Sequence, residues 1–321
     1  MPSENVPESV DGIPVKTVDK ISVEEKNNNL VIISYIEGLQ DDIYIFLKQN
    51  GFKNVIYYDR RFLSLSIKER NYFNQMYGWN INVSVPMLEK NFYEDNLDLK
   101  IYVVTSHLNL HKSRGNILLP KYSTFIQGGA ALTETVMCEL RDNLGENNIS
   151  YKNPMYCELT ALYWIIHNEK PHEFMGLNFY SRIFDLNEDQ IKFVLMNGIE
   201  AILPEPAVLM PQFIFSNGSL KDYLKKALTK VCPSYVGTFE IIRREKICVP
   251  SNIFICKKEI FYDYSKWLFK VLEVYENLLI ENEEEIPPRH YGYVAEGLQT
   301  LYFLHNSSDL NILFARRKFL C

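Results

Sequence analysis

Lys152 stands immediately before Asn153-Pro154, a pair that suits the cap and first position of a helix. A helix starting there would offer free N–H groups and the positive end of its dipole, and with the lysine would make an anion site suited to a phosphate. The plainer reading is a cap with a solvated charge beside it. Arg182 could neutralise a leaving anion, or else pair on the surface with Asp185 or Glu188. Glu296, in Tyr293-Val-Ala-Glu296, is the best candidate for a general base acting on a hydroxyl, with an ordinary helix-surface glutamate as the competing reading. Asn252, just before the apolar run Ile253–Cys256, could orient a hydroxyl or simply make a turn. Thr105 and Ser106 close one strand and Gln127-Gly128-Gly129 the next. Ligands of open α/β sheets bind outside the carboxyl ends of strands, although a simple turn also accounts for Gly128 and Gly129.

The elements that must position these groups are visible as changes of hydrophobic period. Leu30–Ile36 is a β-branched run, Asp41–Asn50 carries Ile43, Phe46 and Leu47 at helical spacing, Gly51 ends that helix, and Val55–Tyr58 is a second strand. Two helical stretches up to about residue 97 complete a small Rossmann-like α/β unit, residues 30–98, behind a flexible polar tail, residues 1–29. From Lys100 a second series begins. IYVVTSH, FIQGG, FMGLNFY, EAILP and NIFIC read as strands. Helices are expected from Pro154 to His167, from the Asn187 cap to Gly198, after the Ser219 cap, over Lys258–Glu284 and over Arg289–Phe303. Strands alternating with helices predict an α/β sheet covered on both faces.

Composition excludes several classes. Lys+Arg 34 against Asp+Glu 40 gives a net charge of −6, which argues against a chain whose main work is gripping nucleic-acid phosphates. At 47% hydrophobic residues the chain can bury a sizeable core. The six cysteines show neither CxxC spacing nor a histidine at zinc-ligand spacing, and are expected as reduced thiols. There is no GxxxxGK[ST], no GxSxG, no HExxH and no Asp-x-Asp. The first unit has only Gly38 where a dinucleotide site needs a glycine-rich turn, and Glu37 would repel a pyrophosphate, although Asp59 falls where a ribose-binding acid would sit. A degenerate, non-binding unit is the expectation. The N-terminus lacks an apolar signal region, so a cytoplasmic protein is expected. The C-terminal Arg316-Arg317-Lys318, flanked by Phe314, Phe319 and Leu320, is either a frayed end or a basic patch for peripheral contact with the inner membrane face.

The segment Asn148–Phe184 carries the most specific pattern. Its Asn-Ile-Ser-Tyr-Lys-Asn, Tyr156-Cys-Glu-Leu-Thr-Ala-Leu-Tyr-Trp164 and Gly176-Leu-Asn-Phe-Tyr-Ser-Arg-Ile-Phe184 strings resemble the N-I-S-x-K-N, Y-C-E-L-T-x-x-Y-W and G-L-x-H-Y-R-R-Y-F motifs of a family of bacterial capsule and exopolysaccharide biosynthesis proteins. That family, long labelled a domain of unknown function, is regarded as glycosyltransferases. The resemblance runs from about Ile101 to Phe314. It implies a GT-A-like nucleotide-sugar-binding sheet flanked by helices over residues 99–321. It also implies a UDP-sugar donor, a glycan or lipid-linked glycan acceptor, and a nucleotide site drawn from Thr105, Gln127, Gly128, Lys152, Asn153, Glu158, Tyr180, Asn252 and Arg289. Glu296 and Arg182 take the catalytic roles. Phe179 and Ser181 replace the family's histidine and arginine, whereas Tyr180, Arg182 and Phe184 are retained. With no Asp-x-Asp, the leaving diphosphate would be neutralised by Arg182 and Lys152, so neither a divalent metal nor another cofactor is expected. Two other readings stand beside this one: a catalytically impaired nucleotide-binding or scaffold protein, and a function centred on Asp59.

Overall fold

The computed structural model of the chain describes residues 9–10, 13–14, 16–33, 43, 45–57, 67–79, 81, 97–107, 121–208 and 218–319. The chain divides into two units, Met1–Leu63 and Ser64–Cys321.

In the first unit, β1 (Ser9–Val10) and β2 (Ile13–Pro14) pair antiparallel. Within the expected tail lies a helix, Val23–Asn28. Ser22 Oγ accepts from the Glu25 N–H and the Glu25 carboxylate accepts from the Ser22 N–H, a reciprocal cap that the Ser-x-x-Glu spacing encodes. Strands β3 (Leu30–Ile33) and β4 (Asn54–Tyr57) pair in parallel, with helical residues 45–49 between them in sequence. Leu47 and Phe52 are buried against Val18, Ile21 and Ile43. Glu37, Gly38 and Asp59 lie outside the described residues.

The second unit takes in helix Ile67–Tyr77, which the sequence groups with residues 30–98. Phe73, Trp79 and Ile81 are buried in the main core, and the Tyr77 hydroxyl donates to Glu245 at 2.7 Å. The strands that follow are β5 (Leu99–Thr105), β6 (Ser123–Gln127), β7 (Leu140–Arg141), β8 (Phe174–Phe179), β9 (Arg182–Phe184), β10 (Ala201–Pro204), β11 (Ala207–Val208), β12 (Ile247–Cys248), β13 (Phe254–Lys257), β14 (Ile312–Ala315) and β15 (Arg317–Phe319). Among the described residues, nine of them form one sheet in the order β14-β10-β13-β8-β5-β6-β7, with β9 joined to β8 and β15 joined to β9. β5 pairs in parallel with β6 and β8, and β13 runs antiparallel to both β8 and β10.

β5 is apolar almost throughout because both faces of the sheet are covered. Tyr102, Val104, Met175, Leu177 and Phe254 point into the larger core, which helices Lys258–Glu281 and His290–His305 complete. Leu99, Ile101, Phe174 and Ile255 point the other way, against Ile191, Val194 and Leu195 of helix Glu188–Met196. The expected covered α/β sheet is therefore present. Among the described residues no helix is long and apolar enough to cross a membrane.

Two expectations need correction. The helix expected from Pro154 to His167 is two helices, Asn153–Tyr156 and Leu159–Asn168, broken at Cys157 with φ 51°. The apolar spacing continues through the break, which is why the sequence reads as one helix. The C-terminal Arg317–Phe319 is not a frayed end. It is a strand registered against β9, with Phe319 opposite Arg182.

Candidate active site at the carboxyl edge of the sheet

Because β5, β6 and β8 are parallel, their carboxyl ends share one edge. The antiparallel β13 brings its amino end there, and β14, parallel to β10, brings its carboxyl end. At this edge a cavity of about 110 Å³ is lined by Cys157, Glu158, Phe179, Arg182, Ser251, Arg289, Gly292, Tyr293 and Glu296. Each comes from a distinct local device. Glu158 follows the break between two helices, and Arg182 opens β9 after the turn at Tyr180-Ser181. Ser251-Asn252 is the turn before β13, and Glu296 lies on the helix that Arg289 precedes.

The backbone here is held in rarely populated conformations. Among the described non-glycine residues with positive φ, Cys157 (51°), Ser251 (86°), Asn252 (41°) and Arg289 (63°) all belong to this site. Left-handed non-glycine residues each cost on the order of 1–3 kcal/mol and persist only where surrounding contacts over-determine them. Those contacts are present. Asn153 Nδ2 donates to the Cys157 carbonyl at 2.7 Å and to Thr160 Oγ1 at 2.9 Å. The Arg289 N–H donates to the Pro154 carbonyl at 2.9 Å. Asn252 Nδ2 donates to Glu158 Oε1 at 2.7 Å and to the Gly292 carbonyl at 2.8 Å. Gly292 packs closely against the break at Cys157, since a Cβ there would come to 3.1 Å from Cys157 Sγ.

Two carboxylates therefore face two arginines. Burial, with the nearby Glu158 charge, pushes the Glu296 carboxyl up to about 7 against the opposing effects of Arg182, the Ser251 N–H and Arg317. Burial likewise raises Glu158, opposed by the Asn252 hydrogen bond and by Arg182 and Arg289. Arg289 sits over the Tyr293 ring at 5.3 Å and hydrogen-bonds Cys157. Arg317 Nη1 donates to Ser251 Oγ at 2.7 Å.

Of the residues singled out from the sequence, Arg182, Glu296, Glu158 and Arg289 line this cavity, and Asn252 hydrogen-bonds Glu158 beside it. Tyr180 is buried in the turn next to Arg182, its N–H donating to the Val104 carbonyl at 2.9 Å. Thr105 is buried at the end of β5, with no hydrogen-bond partner for its hydroxyl among the described residues. The Gln127 amide is occupied internally, donating to the Thr135 carbonyl and accepting from the Met137 N–H. Gly128 and Gly129 form the turn after β6, where a Cβ on Gly128 would meet Val104 at 3.2 Å and Asn153 at 3.3 Å.

Lys152 and Asn153 do not form the expected anion site. The helix at Asn153 is only four residues long, and Lys152 occupies its cap. The Asn153 side chain turns inward, and Lys152 is paired with Glu276 at 2.7 Å in a different cavity. The second cation of the site is Arg289.

Ser251, Cys157, Tyr293 and Arg317 were not singled out individually as site residues. The signal for Arg317 was its place in a short alternating strand, with Arg316 and Lys318 exposed and Arg317 partly buried between them.

The packing of Gly129 makes a direct test. It sits at φ 69°, donates its N–H to the buried Asp142 carboxylate at 2.8 Å, and leaves 2.7 Å between a would-be Cβ and Asn153 Oδ1. Gly129→Ala is expected to cost about 2–3 kcal/mol and to lower Tm by about 5–10 °C. Gly237→Ala, in a helix with nothing within 4 Å, should leave Tm unchanged or raise it. Equal behaviour of the two variants in thermal unfolding would overturn the packing account.

The class the fold defines is a mixed α/β sheet that gathers two carboxylates and two arginines around one cavity at its carboxyl edge. Residues 100–307 match the model of a domain of unknown function, DUF4422, and the chain belongs to that family. Among solved structures, the chain is similar to an apo structure of WbbM, a bifunctional glycosyltransferase, with 25% identity and a TM-score of 0.59. The likeness covers 70% of this chain and 45% of WbbM, so this chain spans less than half of that protein. The mannosyltransferase Ktr4p from S. cerevisiae matches at 10% identity over 65% of this chain and 70% of its own, with a TM-score of 0.33, too distant to add to the argument. No curated protein matches the sequence.

Proposed function

We propose that the protein is a glycosyltransferase that moves a sugar from a nucleotide diphosphate, of the UDP class, to a hydroxyl of a surface polysaccharide precursor. The observation that carries this reading is the convergence of Arg182, Arg289, Glu158 and Glu296 on one cavity, in a fold shared with part of WbbM. In the reaction the acceptor oxygen bonds to the anomeric carbon as the bond from that carbon to the diphosphate breaks. Glu296, near neutral in its affinity for a proton, takes the hydroxyl proton. Arg182 and Arg289 neutralise the charge that develops on the departing diphosphate, without a divalent metal. Asn252 orients Glu158, whose charge tunes Glu296. Residues 99–321 would form the GT-A-like transferase part, working in the cytoplasm or at the inner membrane face where a lipid-linked acceptor would be met.

A second reading, a nucleotide-binding or scaffold protein with impaired turnover, is favoured by one observation. Phe179, where the motif resemblance expects histidine, lines the cavity.

Thermal unfolding with UDP, GDP, CMP and NAD, each with Mn²⁺ and with EDTA, separates the readings. A ligand at 100 times its Kd adds about 2.7 kcal/mol of stability. Stabilisation by UDP that survives EDTA is the expected result. A requirement for Mn²⁺ would overturn the arginine account, and no shift with any nucleotide would overturn nucleotide binding itself.

A further inference from the structure

A second cavity, of about 460 Å³, adjoins the segment that walls the first. Lys152 and Tyr156 line the second cavity, whereas Cys157 and Glu158, the next residues along the chain, line the first. The volume lies in the range of sites that hold small molecules.

Its chemistry is specific. The Tyr163 ring is stacked on His167 at 4.2 Å and set edge-on to Phe269 at 5.1 Å, so aromatic surface forms part of the wall. Of the three lysines that line it, two are paired with carboxylates. Lys152 pairs with Glu276 at 2.7 Å, and Lys270 pairs with Glu273 at 3.0 Å. The Glu276 carboxylate also accepts from the Tyr156 hydroxyl at 3.0 Å. A phosphate-bearing ligand would have to compete with these carboxylates for Lys152 and Lys270, leaving Lys266, which lies over the Tyr262 ring at 5.9 Å, as a single cation to meet its charge. A neutral polyhydroxyl ligand would not, because ammonium and carboxylate groups offer donors and acceptors side by side. The apolar C–H face of a sugar ring matches an aromatic wall, and its hydroxyls match the paired charges.

We propose that this cavity binds a neutral saccharide segment of the acceptor glycan, beyond the sugar whose hydroxyl reacts. The saccharide binding stands on the cavity alone; only the word acceptor rests on the transferase reading. An acceptor held in both cavities would cross the Tyr156-Cys157 junction, and the distant contacts would align the reactive hydroxyl at Glu296.

The test uses the full chain and linear neutral tri- to hexasaccharides of glucose, galactose and mannose, followed by saturation-transfer NMR and titration calorimetry. At least one series should bind, more tightly as length increases. Tyr163→Ala and Phe269→Ala should each weaken binding about tenfold, consistent with truncating an aromatic anchor. His167→Ala, at an exposed position where the fold is not at risk, should weaken it by a smaller factor. Arg182→Gln should leave saccharide affinity within about twofold. Failure of every saccharide to bind, or binding that survives all three ring substitutions, would overturn the proposal. Displacement of the saccharide by UDP alone from this cavity would likewise overturn it, in favour of a nucleotide site. Stabilisation by UDP in the thermal experiment without saccharide binding removes this inference and leaves the proposed function standing. Saccharide binding without any nucleotide effect does the reverse.

Discussion

Glu296→Gln is expected to lower kcat by about 10²–10⁴-fold, the usual contribution of a positioned general base, while UDP affinity changes little. Glutamine keeps the shape and the hydrogen bond from the Ser251 N–H but cannot accept the hydroxyl proton. In the unaltered protein kcat/KM should rise with pH and level off above an apparent value near 7. Glu158→Gln removes a like charge and should shift that rise to lower pH. Stability gives an independent readout with a definite sign. The folded protein binds the Glu296 proton more tightly than the unfolded chain does, so this group costs nothing well below its ordinary value of 4.5, becomes progressively costly as pH rises from there to about 7, and costs a constant amount above that. Glu296→Gln, neutral at every pH, should therefore be more stable than the parent at pH 8 and indistinguishable from it near pH 4. Full activity in this variant, or an unchanged pH profile in Glu158→Gln, would remove Glu296 from the chemistry.

Arg182→Gln carries the second large effect. Arg182 opens β9 and points its charge at a cavity that already holds two carboxylates, which a purely structural arrangement gains little by assembling. Loss of one preorganised charge on a leaving group costs about 10²–10³-fold in kcat. Arg182→Lys should recover only part of that loss, since an ammonium is a point charge and cannot make the paired contacts of a guanidinium. Lys318→Gln, exposed on the neighbouring strand, serves as the control and should stay within about twofold. Single-turnover kinetics with a UDP-sugar would separate loss of binding from loss of chemistry. Equal activity in Arg182→Gln and Lys318→Gln would show that the arginine is no more than a surface cation.

The sheet was legible because its strands are two-sided and apolar. Ile101–Thr105 and Ile253–Cys256 needed no tertiary information to be recognised. The positions of Arg182 and Glu296 could be singled out, but their meeting could not. It depends on a strand hairpin, a left-handed turn at Ser251-Asn252 and a helix more than a hundred residues further on. Lys152 shows the opposite failure. Its local motif suggested an anion site, but its partner, Glu276, lies 124 residues away on a helix whose direction no local pattern encodes. The break at Cys157 was hidden for the same reason. Asn153 and Thr160 hold it, and Gly292 packs against it from another helix. In the N-terminal part, the Ser22–Glu25 capping signal was present in the sequence and was outweighed by the polar composition around it.

The pairing of β9 with β15 has a consequence for how the protein is made. The cavity draws on residues from Cys157 onward, and Arg317 braces Ser251 from the far end of this series. During synthesis, a growing chain can lay down β5, β6 and β8 and still lack the strand that registers against Arg182. The brace on Ser251 and the strand opposite Arg182 are therefore among the last parts of this site to be made. A shortened product ending before that strand would keep every residue that lines the cavity but leave the outer edge of β9 unpaired and Ser251 without its brace. An unpaired edge of that kind invites pairing with other chains and proteolysis.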